Sequence, residues 1–277
     1  MKKHKSFIFL IGLFLVGLSV LLYPTISDYV NQKHQSAAIA AYEEQAAALS
    51  KADNSALFAA AEAYNKKLAE DHSLFYTPDE IDGYEQTLDI SGTGIMGYVS
   101  IETLHMRLPI YHGTDAAVLE IGCGHLKGSS LPVGGESTHC VLSAHRGLPS
   151  AKLFTSLDKL EKGDTFTITV LNRVLTYEVD QISIVLPTET EALQIEDGQD
   201  YCTLMTCTPY GINSHHLLVR GRRVATKENR TAHITSEAFR IEPVIVSSVL
   251  AVPMLVAFLA WVLLHKNHRQ GGKDGES

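Results

Sequence analysis

The chain has 277 residues, 45% of them hydrophobic and 19% charged, with a net charge of −8 and a mean hydropathy just above zero. A chain disordered throughout would be more polar and more charged, and 20 Gly with nine Pro do not make a collagen-like or low-complexity chain. The acidic balance argues against a nucleic-acid binder, which needs basic surface to displace counterions, and four Cys are too few for a disulfide scaffold.

The hydrophobicity is unevenly spread. Ser6 to Tyr23 is an uncharged run of 18 residues, long enough to cross a hydrocarbon core as a helix. Lys2, Lys3 and Lys5 precede it. The segment is read as a retained anchor over residues 1–23, with a cleaved signal peptide as the alternative; Leu22-Tyr23-Pro24 offers no small-x-small cleavage site. Residues 36–69 are rich in Ala and lack Pro and Gly. Ile39, Tyr42, Ala46 and Leu49 recur at helical spacing, as do Leu57, Ala61, Tyr64 and Leu68. Asp53, Asn54 and Ser55 supply N-cap oxygens between the runs. This predicts two helices in a stalk over residues 24–70, standing next to the membrane as spacers or packing elements.

Residues 71–95, with Pro78 and three Gly, read as a connector. From Met96 to about residue 230 come short β-prone runs: GYVSI, RLPIY, CVLSAH, TFTITV, LTYEVDQISIV, YCTLMTC and LLVRGRRV. With one brief helical stretch near Ala151–Leu160, they predict a mainly β fold, a closed barrel or sandwich. After a linker over 231–242, Pro243 to Leu264 is a second uncharged run, of 22 residues, followed by a basic tail over 265–277 with Lys266, Arg269 and Lys273. Positive charge beside a span stays cytoplasmic. Both termini are therefore expected inside, and residues 24–242 outside. That region carries 17 Lys+Arg against 29 Asp+Glu, a net −12, which suits solubility and cationic partners.

The stretch Thr203-Leu204-Met205-Thr206-Cys207-Thr208-Pro209-Tyr210-Gly211 ends a β-type run on a Cys and turns at once, placing a thiol at an exposed strand end. Cys123, Cys140 and Cys202 read as small buried hydrophobes; a Cys123–Cys140 disulfide is compatible with export but not deducible, and Cys207 is expected to stay free. A thiol needs a neighbouring cation to act at neutral pH. His145, ending its own strand-like run before Arg146-Gly147, is the best partner among 13 His.

TLMTC matches the TLxTC motif of sortases, the cysteine transpeptidases of Gram-positive cell surfaces. The runs CTPYGINSHHLLVRGRR, GYVSIETLHMRLPIYHGT and GHLKGSSLPVGGESTHCVLSAHRGLPSAKLFTSLDKLEKGD resemble the pilus-building branch, class C, as do Ala63-Tyr64-Asn65 and the second membrane segment. The resemblance covers roughly residues 60–264. It implies an eight-stranded β-barrel with a helical N-terminal segment and two flanking transmembrane helices. It implies Cys207 as nucleophile and His145 as its partner, acting on an LPxTG-like sorting signal through a thioacyl intermediate. A Lys amine of the next pilin subunit is the implied acceptor, and Thr206 with the backbone N–H groups around Cys207 the implied oxyanion support. The implied site is the outer face of a Gram-positive plasma membrane.

Two departures stand out. Family members carry an Arg nine residues after the Cys, where this chain has His216. His216 could serve as a weaker donor, Arg220 or Arg222 could reach in from the same segment, or the chain could be a poor enzyme. Arg220 shares a face with His216 but lies about 13 Å further along an extended strand, so His216 is favoured. The class C lid, an Asp-Pro-aromatic tripeptide, is absent before residue 96. Asp71, Phe75 and Tyr76 are the nearest candidates, and a looser or absent lid is predicted. Arg146, Arg222 and Arg223 read as surface or packing charges. His105, His112, His125 and His139 lack metal-ligand spacing, and Glu189/Glu191 with Glu196/Asp197 read as solvated loop charge; neither a cofactor nor a metal is expected. The expected partners are LPxTG-bearing pilins and membrane lipid. Two other functions stay open, a sortase-like surface protein without catalysis and a thiol peptidase using water.

Overall fold

The computed structural model describes residues 2–226. They fall in two units, one taking in Met1–Ile26 and the other Ser27–Thr231, and each is taken by itself. The predicted linker 231–242, membrane segment 243–264 and basic tail 265–277 lie outside the described residues.

Helix α1 spans Lys2–Ala48 without a break, running through Pro24. The helix crosses the expected boundary between an anchor ending at 23 and a stalk starting at 24, close to the division between the two units at Ile26 and Ser27. Within the described residues one helix is long and apolar enough to cross a membrane, by length and composition. Helix α2 spans Lys51–Glu70. Its N-cap is Ser50, not the predicted Asp53–Ser55: the Ser50 hydroxyl accepts the Asp53 N–H and the Asp53 carboxylate accepts the Ser50 N–H, a reciprocal capping box. The break thus falls at Leu49–Ser50, three residues earlier than the Asp53–Ser55 run suggested.

Eight strands close into one barrel. They are β1 (Ile95–Ile101), β2 (Met106–His112), β3 (Cys123–His125), β4 (Thr138–Ser143), β5 (Thr165–Val170), β6 (Arg173–Val185), β7 (Asp200–Thr208) and β8 (His215–Val224). Around the barrel the order is β1-β2-β3-β4-β7-β8-β6-β5, and closure removes free sheet edges over the paired lengths. The β2–β3 and β4–β7 pairs are parallel and the rest antiparallel. β3 has only three residues, too few for a visible alternation, and helix α3 (Ala116–Ile121) before it is one and a half turns long. The predicted helix near Ala151–Leu160 is a 3-10 helix at Leu153–Lys159.

The helices pack on the barrel; they do not stand clear of it. Ile39, Tyr42 and Ala46 of α1 and Phe58, Ala61, Tyr64 and Leu68 of α2 belong to the same buried cluster as Val99, Ile110, Phe166 and Val219 of the strands. This is why β1 is buried along both faces, with no polar alternation. The Tyr42 hydroxyl donates to Met96 O and accepts the Leu171 N–H, joining α1 to β1 and to the β5–β6 turn. Burial pushes that phenol up to about 12. Asn65 bridges α2 to the loop before β4 by accepting the Leu131 N–H and donating to Leu131 O. Each large apolar side chain fully buried in this way contributes roughly 1.5–3 kcal/mol. Inside the barrel Phe166 stacks on Tyr177 at 5.6 Å, against Gly221, where a Cβ would sit 2.7 Å from the Phe166 ring.

Candidate active site

β4 and β7 run parallel, with Ser143 opposite Met205, and the Ala144 N–H carries the ladder one step further to Met205 O. His145 therefore comes level with Cys207, one interstrand spacing of about 4.8 Å away. On the other side of β7 the antiparallel partner of Cys207 is His216, the second residue of β8, and such directly opposed residues have Cβ atoms about 5 Å apart. Cys207 and His216 thus stand side by side on β7 and β8, with His145 two residues beyond the end of β4 on the other side of Cys207. As directly opposed strand residues, Cys207 and His216 share one face.

All three are half-buried, and among the described residues none of their side chains is held by a hydrogen bond. Burial pushes the Cys207 thiol up and the His216 imidazole down, favouring the neutral form of each. All four cysteines are free thiols; Cys123, Cys140 and Cys202 are buried, and no Cys123–Cys140 disulfide forms.

The same face continues into an apolar floor of Val141, Met205 and Leu218, against which Leu193, Phe75, Leu126 and Val185 pack. Leu193 comes from the β6–β7 connection. That connection is tied down by His139, whose ring nitrogens meet Gln194 O at 2.8 Å and Thr203 Oγ1 at 2.7 Å. Two bonds of this kind suit a neutral imidazole, and burial holds His139 down to about 4. The spacing of His139 gave no hint of this role, because its partners lie 55 and 64 residues away.

The connector also takes part. A looser or absent cover was expected there, but the segment is fixed at three points. Phe75 packs on the apolar floor, the Tyr76 hydroxyl bonds Thr190 Oγ1 at 3.2 Å and accepts from Gln194, and Asp79 pairs with Lys127. Asp71 does not reach a base. Its carboxylate accepts the Ser73 N–H and hydroxyl, which lowers its pKa, and it is fully exposed.

Two further expectations change. Thr206 is buried and alternates to the opposite face from Cys207, its hydroxyl donating to Ala144 O at 2.8 Å. Its side chain is spent on joining the strand ends that carry His145 and Cys207, so it is not an oxyanion donor. Arg220 does lie on the Cys207 face, but its guanidinium forks onto both Asp180 oxygens at 3.1 and 2.9 Å, reaches Glu196 at 3.0 Å and lies 4.0 Å over the Tyr201 ring. A cation so engaged cannot also serve Cys207. Arg222 pairs with Glu178, and Arg146, largely buried, pairs with Asp158. No group of His, Cys, Asp and Glu that could hold a metal ion occurs among the described residues.

The loop after β4 is braced from several sides. The His145 carbonyl accepts the Phe154 N–H at 3.1 Å, and Thr155 Oγ1 accepts the Gly147 N–H. Gly147 has φ +78°, and a Cβ there would lie 2.9 Å from the Tyr210 ring of the β7–β8 turn. Glycine is required on both counts.

Comparison with known proteins gives a consistent result. The family described as "Sortase domain" matches residues 99–224. Sortase C1 from Streptococcus agalactiae is 46% identical, with a TM-score of 0.64 over 69% of this chain and 99% of that one. A lid mutant of S. agalactiae sortase C1 is 42% identical, with a TM-score of 0.64 over 69% of this chain and 98% of that one. Sortase D of Bacillus subtilis is 33% identical over 131 residues, 46% of this chain; the match spans 63% of that protein, less than two thirds of its length.

Proposed function

The chain belongs to the sortase family, in its class C branch, and from that premise we propose that it is a membrane-anchored cysteine transpeptidase that assembles pili. The observation that carries this reading is the row His145–Cys207–His216 at the head of an apolar floor. A thiol flanked by one imidazole from the loop after β4 and another from β8 has a proton donor on one side and a neutral N–H donor on the other.

The chemistry follows from that row. Cys207 thiolate attacks the Thr–Gly carbonyl of an LPxTG-like sorting signal, whose aliphatic side chains suit the apolar floor. The carbonyl oxygen gains charge next to His216, which offers an N–H; burial keeps that ring neutral, so it is a weaker donor than an Arg fork. A protonated His145 gives its proton to the departing Gly amine, leaving a thioacyl-enzyme. A pilin Lys amine then attacks the thioester, His145 takes up its proton, and Cys207 leaves as thiolate. The thioester preserves the energy of the cut bond, so no nucleotide is consumed. Phe75 and Tyr76 serve as a lid over the floor, with a different anchor from an Asp–Arg pair. The apolar length of α1 holds the enzyme in the plasma membrane, with the barrel outside and the acidic exterior favouring a cationic acceptor.

The test is a quenched-fluorescent LPxTG-type peptide given with and without an amine acceptor. Cleavage with amine-dependent ligation, lost in Cys207→Ala, is expected. Absence of cleavage would favour a sortase-like binding protein, for which the His216 replacement speaks. Cleavage without ligation would make the protein a thiol peptidase.

A further inference from the structure

One stripe of α1 faces the barrel over five turns, and it changes character along its length. Ile39, Tyr42 and Ala46 are its apolar part. Asp28, Asn31 and Gln35, at helical spacing before them, continue it in polar residues. Asp28 and Gln35 are buried, so each needs partners. Their partners include backbone groups of the loop after β4 and of the end of α3.

Asp28 Oδ1 accepts the Lys152 N–H at 2.8 Å, and Oδ2 lies 3.4 Å from Lys152 Nζ while accepting from Gln32. Asn31 Nδ2 donates to Ser150 O at 2.7 Å. Gln35 reaches elsewhere, to Ile121 O at the end of α3. Lys152 is the residue at the head of the 3-10 helix Leu153–Lys159, and no side chain of its own segment caps it. That short helix supplies the Phe154 N–H and Thr155 hydroxyl that grip His145 and Gly147. The loop from His145 to Lys152 is thus fixed at one end by Thr206 through Ala144, and at the other by α1.

We propose that Asp28 and Asn31 are positioning residues for His145, so that the helix leaving the membrane segment sets the imidazole against Cys207. Two polar side chains on a helix otherwise suited to apolar packing are the cost of holding this loop. Neither touches the reacting atoms; they act through Lys152, Ser150 and the 3-10 helix. The inference rests on the reading that His145 works with Cys207.

The experiment uses the full-length chain in detergent or lipid nanodiscs. Two readouts are taken: kcat and KM for LPxTG-type peptide, and the pH profile of Cys207 alkylation by iodoacetamide. In Asp28→Ala/Asn31→Ala, kcat is expected to fall at least about tenfold with KM within about twofold, as displacement of a catalytic group does. The alkylation profile is expected to move towards that of His145→Ala. Asp28→Asn keeps an oxygen for the Lys152 N–H and is expected to restore most of kcat. Gln35→Ala removes a comparable bond on the same stripe and should leave both readouts at wild-type values.

Equal losses from Gln35→Ala and from the Asp28/Asn31 pair would make the stripe structural only and overturn the proposal. So would wild-type kcat and alkylation profile in a folded double variant. If the wild-type chain cleaves none of the peptides offered, the catalytic reading fails, yet the alkylation profile still decides. A profile unchanged by the double variant but moved by His145→Ala would reject the positioning role by itself. If the double variant does not fold, Asp28→Asn and Asn31→Ala singly carry the comparison, and wild-type values in both would reject it.

Discussion

At Cys207 the environment works against the reaction it is proposed to perform. Burial pushes the thiol up, so the resting site holds mostly neutral thiol, and reactivity rises with the thiolate. Alkylation of Cys207 by iodoacetamide is therefore expected to keep climbing with pH up to and beyond 9, without levelling near 7; a plateau below pH 8 would contradict this. His216→Ala is expected to lower kcat about 10²–10³-fold if its N–H supports the oxyanion, and His216→Arg to raise it, with rates on the sorting-signal peptide deciding both. Thr206→Val keeps shape but leaves Ala144 O without its donor; a loss of about 1–3 kcal/mol is expected in urea melts, with kcat reduced. Cys207 and His145 stood out in the sequence as candidates because the signal is local: a reactive residue type at the end of a β-prone run. Thr206 was misjudged although the sequence held the answer, since adjacent strand residues face opposite ways and it could not share the Cys207 face. Arg220 was different. Its partners Asp180 and Glu196 lie 40 and 24 residues away, and only the folded register brings them together.

Among the elements, the strap over residues 71–80 and the β6–β7 connection form one cover, joined through Tyr76, Thr190 and Gln194. Phe75→Ala should open the apolar floor and speed Cys207 labelling several-fold, while Asp71→Ala, an exposed local cap, should leave labelling unchanged. Equal effects would mean that the strap moves as a whole, independent of the ring. Gly147→Ala meets both a left-handed backbone and the Tyr210 ring; a loss of at least about 1 kcal/mol is expected, together with slower turnover, because the strained loop begins at His145. Most strands could be read from their β-branched runs. β3 could not, at three residues. Its identity depends on pairing with β2 and β4, which no local pattern records. The helices were legible as helices from their Ala content, but not as part of the barrel core. The stripe Ile39, Tyr42, Ala46 was visible; the surface it covers was not.

For the whole molecule, one acidic transition should dominate. Burial holds the His139 imidazole down to about 4, against an ordinary value of 6.5. As pH falls from about 6.5 towards 4, the unfolded chain takes up a proton that the folded protein refuses, so stability drops across that window, by roughly 3 kcal/mol for this group. His216 is shifted in the same direction. Denaturation midpoints followed from pH 8 to 4 should fall steeply, and His139→Gln should flatten the curve; an unchanged slope would remove His139 as the cause. Because α1 and α2 share the barrel core, a barrel trimmed to residues 95–226 should melt far below the full domain, if it folds at all. The row of three reactive residues has a last consequence, for the order of events in folding. Ala144 and Thr206, the neighbours that join His145 to Cys207, are 62 residues apart, and Tyr42 and Leu171 are 129 apart. Pairings so distant close late, after local structure has formed. Until those pairings close, the Cys207 thiol and the His145 imidazole have not met, so the proposed acyl transfer would begin only once the two chain segments have paired.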